Sequence, residues 1–136
     1  MSAISTHDAL IHIMVTMSAA DGGMSDAELK KIGNIIQNLP VFANYEDQRL
    51  MDSAKACSKI LNEENGLNQV IANAIDTLPE HLYETAYALA VEVAAADLSP
   101  EQEELRLLQI LRQELNLDRL ACVAIERGAR ARHQSA

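Results

Sequence analysis

The sequence predicts an all-α fold, a compact array of about seven helices within one domain spanning residues 1–136. Three observations predict it. Apolar residues recur at helical spacing along nearly the whole chain, and strand-like alternation never lasts. Only five glycines and three prolines punctuate 136 residues. The 49% of residues that are hydrophobic include one Phe, three Tyr and no Trp, so the core is built from Leu, Ile, Val, Ala and Met. Ala, Leu and Met favour helix.

The first helix carries Ile4, Ile11, Met14, Val15 and Ser18 and runs into Ala19-Ala20-Asp21-Gly22-Gly23, where two glycines stop it. Ser25 opens the second, with Glu28 completing an S-x-x-E capping box. Leu29, Ile32, Ile36 and Leu39 follow, and Pro40 ends it. The third helix is expected from near Tyr45, with Leu50, Ala54, Cys57 and Leu61 inward and Asn65-Gly66 closing it. A fourth covers 67–78. Pro79 is expected just inside the fifth, where the missing N–H costs nothing, followed by Leu82, Ala86, Leu89, Ala90 and Val93. That helix reaches Ala94-Ala95-Ala96-Asp97. Ser99-Pro100 starts the sixth, with Leu105, Leu108, Leu111 and Leu115 on its apolar face; the seventh presents Leu117, Leu120, Ala121, Ala124 and Gly128. The basic end (Arg127, Arg130, Arg132, His133) reads as a frayed helix terminus whose arginines complement the dipole.

Formal net charge is −9. Such a chain repels phosphate backbones and anionic membranes, which argues against nucleic-acid binding and for cations or protein surfaces as partners, a second copy of the chain included. No apolar run approaches the roughly 18 residues of a transmembrane helix. The first residues lack the basic region of a secretory leader. Cys57 and Cys122, outside any C-x-x-C spacing, read as small buried thiols. A cytoplasmic location is the expectation. The four histidines show no metal-ligand spacing; Asp8/His12 and His81/Glu84 read as solvated surface pairs.

A shift of 76 residues aligns two segments without a gap: Ala19-Ala20-Asp21 on Ala95-Ala96-Asp97, Glu28-Leu29 on Glu104-Leu105, and Ile32, Ile35, Leu39 on Leu108, Leu111, Leu115. Two pseudo-symmetric helix-loop-helix units are implied, about 4–39 and 80–115. Each places an Asp at the end of one helix and a Glu in the first turn of the next. The Glu favours a positive helix N-terminus. The Asp meets a negative C-terminus, a cost of up to about 1 kcal/mol. Incurring it twice invites a positive counterpart: a hard divalent cation, calcium or magnesium, or a basic side chain. The bland alternative is helix termination through local side-chain–backbone bonds. An EF-hand is not expected, because the positions two and four before each Asp hold Ala19 and Met17, or Ala95 and Val93, which offer no side-chain oxygen.

The pattern Ala-Ala-Asp-Gly, short loop, Glu-Leu, repeated late in the chain, resembles the TerB-like domains. The resemblance implies a seven-helix fold and an acidic surface that binds metal, with Asp21 and Glu28 matching the first motif and Asp97 and Glu104 the second. The second copy departs from the pattern, with Leu98 where glycine is usual and Ser99-Pro100 in the loop. It also implies a role in resistance to tellurite and other stresses, through complexes with other proteins. Two functions are therefore expected: a divalent-cation-responsive binding or scaffold domain, or a non-enzymatic helical interaction module whose acidic patch meets a basic partner surface. A metal-dependent hydrolase ranks third, since no nucleophile, base or oxyanion donor stands beside the four carboxylates.

Overall fold

Ser5 and Asp8 start the chain's first helix. The Asp8 N–H donates to Ser5 Oγ at 3.0 Å and the Ser5 N–H to the Asp8 carboxylate at 3.5 Å, a reciprocal capping box. The computed structural model describes residues 4–19, 25–96 and 102–136. Among them stand seven α-helices and no strand: α1 (Thr6–Ser18), α2 (Asp26–Gln37), α3 (Arg49–Leu61), α4 (Gly66–Thr77), α5 (Tyr83–Ala95), α6 (Gln102–Glu114) and α7 (Arg119–Arg132). The all-α expectation is met.

The core is organised around α1. Every residue from Ala9 to Ser18 is buried, because Leu10, Ile11, Ile13, Met14, Val15 and Met17 surround the helix axis. A helix apolar on all sides belongs inside a protein. It packs against α3, α4 and α5, and more lightly against α2. Full burial of a side chain such as Leu10 or Met14 stabilises by about 1.5–3 kcal/mol. The second organiser, α5, buries Ala86, Tyr87, Leu89, Ala90, Val91 and Ala94, and packs against α1, α6 and α7.

Three other expectations are corrected. The third helix begins at Arg49, not near Tyr45. Residues 40–42 form a 3-10 turn, and Asn44 is left-handed at φ 68°. Both interrupt helix there, while Phe42 and Tyr45 fold back onto the His7 ring of α1, with centroids 5.4 and 5.1 Å from it. Asn65-Gly66 does not close α3, which ends at Leu61. Asn65 turns the chain at φ 60° and Gly66 opens α4. A Cβ at position 66 would fall onto the Ile60 carbonyl oxygen and the Leu61 backbone, so glycine is required by close approach. Pro79 precedes a separate 3-10 turn, Glu80–Leu82, rather than entering α5.

The faces of α6 and α7 also differ from expectation. Leu105 is 51% exposed and Leu120 76% exposed. On α6 the buried stripe is Glu104, Leu107, Leu108 and Leu111, continued by Leu115. On α7 it is Cys122 and Ala129, with Ile125 partly buried. The Asp118 carboxylate caps α7 by accepting the Ala121 N–H at 3.3 Å, which places Leu120 outward in the first turn. No helix among the described residues is long and apolar enough to cross a membrane.

Candidate functional site

Of the four carboxylates expected to form a site, Asp21 and Asp97 lie outside the described residues. Glu28 and Glu104 stand in the first turns of α2 (Asp26–Gln37) and α6 (Gln102–Glu114). Their surroundings differ. Glu28 is half-buried and engaged locally. Its Oε1 accepts from Ser25 Oγ at 3.1 Å and from the Ser25 N–H at 3.4 Å, while its own N–H donates to Ser25 Oγ at 3.1 Å. The capping box read from the sequence is therefore present. It uses one carboxylate oxygen and leaves Oε2 unneeded by the cap.

Glu104 is only 5% exposed. It stands one turn before Leu107 and Leu108 on the inward stripe of α6. Leu107 and Leu111 share an apolar gap of about 10 Å³ with Ile13, Thr16 and Met17 of α1. The inward face of α6 thus meets the C-terminal half of α1, the half that leads toward Asp21. A carboxylate on a core-facing stripe is costly unless it is partnered, and Glu104 does have an interaction partner. No group of three or more His, Cys, Asp or Glu side chains among the described residues is arranged to hold a metal. An oxygen cage for a cation would need Asp21 and Asp97 as well.

The histidines do not form a site. His12 is 2% exposed on α1, which corrects its reading as a solvated partner of Asp8. Burial pushes its pKa below the ordinary value, outweighing the Asp8 charge and a hydrogen bond with the Ser53 backbone. His7 bonds through Nε2 to the Val41 carbonyl at 2.8 Å. His81 and Glu84 are both exposed, as expected. Cys57 and Cys122 are buried free thiols, as expected. Burial pushes the Cys57 thiol up to about 11, far from a nucleophilic thiolate.

Sequence reasoning missed a polar network joining three helices. The buried Tyr87 hydroxyl on α5 donates to Glu126 Oε2 of α7 at 2.5 Å and accepts from Arg112 Nη1 of α6 at 2.8 Å. Arg112 and Glu126 pair at 3.2 Å. Nothing local signals it, because its members lie 14 to 39 residues apart. A second network ties Glu92 of α5 to Arg132 at 2.7 Å and to His133 at 2.6 Å. Burial pushes the Glu92 carboxyl up, but the bonds from Arg132 and His133 outweigh it and hold it below its usual value. The basic end is therefore ordered helix through Arg132, not a frayed terminus.

No curated protein and no solved structure matches the chain. A family model does: the one described as tellurite resistance protein TerB matches residues 7–127. That span runs from the first turn of α1 deep into α7. With nearly the whole chain matched and the all-α architecture in place, the protein belongs to the TerB family.

Proposed function

We propose that the protein is a divalent-cation-responsive scaffold domain, acting in the cytoplasm within a tellurite-resistance or stress-response system. Asp21, Glu28, Asp97 and Glu104 would supply oxygen ligands suited to calcium or magnesium. The observation that supports this most is the burial of Glu104, at 5% exposure, on the α6 stripe that meets the C-terminal half of α1. Membership of a family named for tellurite resistance supports the wider setting. The cation would neutralise crowded carboxylates and hold the two loops in one arrangement, which protein partners would then read.

The test is thermal unfolding with calcium, magnesium or sodium chloride at equal ionic strength. A ligand bound only by the folded state raises the melting temperature by mass action, whereas sodium chloride acts by screening. The divalent ions are expected to add an increment that Asp21→Asn with Asp97→Asn abolishes and Glu104→Gln reduces. Coincident melts would sink the cation reading. The acidic loops would then serve as a direct docking surface for a basic partner.

A further inference from the structure

The outward face of α7 opposes the rest of the molecule in charge. Leu120 is 76% exposed and Val123 51% exposed. Ala124, Arg127, Arg130 and Ala131 continue the same face at helical spacing, and all are exposed, as is Arg119 beside Val123. The acids near this face are engaged elsewhere: Glu126 accepts from Tyr87 and Arg112, and Asp118 caps the helix. Arg132 is held by Glu92. What projects is an apolar centre ringed by Arg119, Arg127 and Arg130, on a chain of net charge −9. Alongside runs an open groove of about 730 Å³ between α6 and α7, whose lining includes Gln109, Arg112, Gln113, Asn116, Arg119 and Glu126, the last paired with Arg112.

We propose that this face of α7, Leu120 and Val123 ringed by Arg119, Arg127 and Arg130, docks an acidic amphipathic helix of a partner protein. The side chains fit that occupant. Large exposed apolar side chains at helical spacing take the apolar face of a second helix, while guanidinium groups pair bidentately with flanking carboxylates. All the cations from Arg106 to the end of the chain are arginines, and none is lysine. The amides of Gln109, Gln113 and Asn116 offer both donors and acceptors along the groove. An anionic membrane is a poorer occupant: two large apolar side chains bury little area in a bilayer. A second copy meeting face to face would set these arginines against themselves, since a two-fold interface repeats one patch on both subunits. The inference uses none of Asp21, Glu28, Asp97 and Glu104, so it stands whether or not a cation binds them.

The experiment uses the full chain and two fluorescein-labelled designed helices. They share leucines at helical spacing and differ only in carrying Glu or Lys at the flanking positions. Anisotropy at low salt is expected to show saturable binding of the Glu helix and none of the Lys helix. Arg127→Glu with Arg130→Glu should weaken the Glu helix about tenfold or more, in line with loss of charge complementarity, and should allow the Lys helix to bind. Leu120→Ser with Val123→Ser should weaken the Glu helix comparably. All four positions are exposed, so the variants should keep the parent's helical circular dichroism and melting transition. Two further arms carry the competing occupants. Sedimentation with phosphatidylserine vesicles that disappears in the arginine variant would assign the face to membrane. Concentration-dependent dimers that disappear in the leucine–valine variant would assign it to self-association. Either result, or equal or absent binding of the two designed helices, overturns the proposal.

Discussion

The Tyr87 hydroxyl donates to Glu126 at 2.5 Å across 39 residues of chain, and Arg112 closes the triangle. Three helices are thereby locked through one phenol. The ring is fully buried, while the Arg112 and Glu126 side chains are 36% and 40% exposed. Those exposures set the order of effects. Tyr87→Phe removes the buried member and is expected to cost about 1–3 kcal/mol in urea denaturation. Glu126→Gln weakens a largely solvated ion pair and should cost on the order of 0–1 kcal/mol. Equal losses in the two variants would show that the triangle is not centred on the phenol.

Burial, reinforced by the Glu126 carboxylate, pushes the Tyr87 pKa up against the lowering effect of Arg112. A raised folded-state pKa adds stability that is complete below the unfolded value, about 10 for tyrosine, and is lost as pH rises beyond it. Parent protein should therefore lose stability more steeply above about pH 10 than Tyr87→Phe does. Denaturant midpoints at three alkaline pH values would decide it.

His12 makes the opposite forecast. Its folded-state pKa is lowered, chiefly by burial. The unfolded chain takes up a proton near pH 6.5 that the folded chain resists, so stability is present above about pH 6.5 and declines as pH falls below it. His12→Gln should flatten that decline between about pH 7 and 5.5, whatever it does to the absolute midpoint. An unchanged slope would remove His12 from the acid response. The lowered pKa of Glu92 acts in the same direction at lower pH, as its carboxylate takes up a proton.

Two glycines within helices should answer differently to alanine. At Gly66 the new methyl collides with the backbone of Ile60 and Leu61, and overpacking of this kind costs about 1–3 kcal/mol. At Gly33, inside α2, it would stand 3.6 Å from Leu50 Cδ2, ordinary contact, so helix propensity favours alanine by up to about 1 kcal/mol. Thermal melts should move in opposite directions. A gain from Gly66→Ala would contradict the tight α3–α4 junction.

The α2 cap offers a way to separate structure from ligation at Glu28. Ser25→Ala removes the hydroxyl that accepts the Glu28 N–H and should cost about 1 kcal/mol. Glu28→Gln keeps an oxygen able to accept from Ser25 and should cost clearly less. If Glu28→Gln nonetheless removed a calcium-specific gain in melting temperature, the residue would be acting as a ligand as well as a cap.

Much of the fold could be read from the residues. Ser25 and Glu28 announced the start of α2, and the glycines and prolines bracketed several helices within a few positions. The full extent of burial within each helix was less legible. Along α1, Leu10, Ile11, Ile13 and Met14 are apolar on every side, and only the surrounding helices explain why none reaches water. On α6 the expected face of Leu105, Leu108 and Leu111 overlooked Leu107. Including it gives a more regular stripe, 104-107-108-111-115, that carries Glu104 inward. That buried acid was thus legible in the spacing alone. The Tyr87 triangle was not, because it depends on how α5, α6 and α7 pack.

The all-round burial of α1 has a consequence for synthesis. Its neighbour α5 begins only at Tyr83, so α1 leaves the ribosome long before that flank can be covered. Until then Leu10, Met14 and their neighbours have no complete shelter. The nascent chain must carry an adhesive segment through the emergence of four further helices, a condition that favours chaperone capture or aggregation. It also makes late contacts decisive. Any truncation before α5 would leave α1 uncovered along the side that α5 shields, so fragments of this chain should behave as aggregating pieces rather than as smaller stable units.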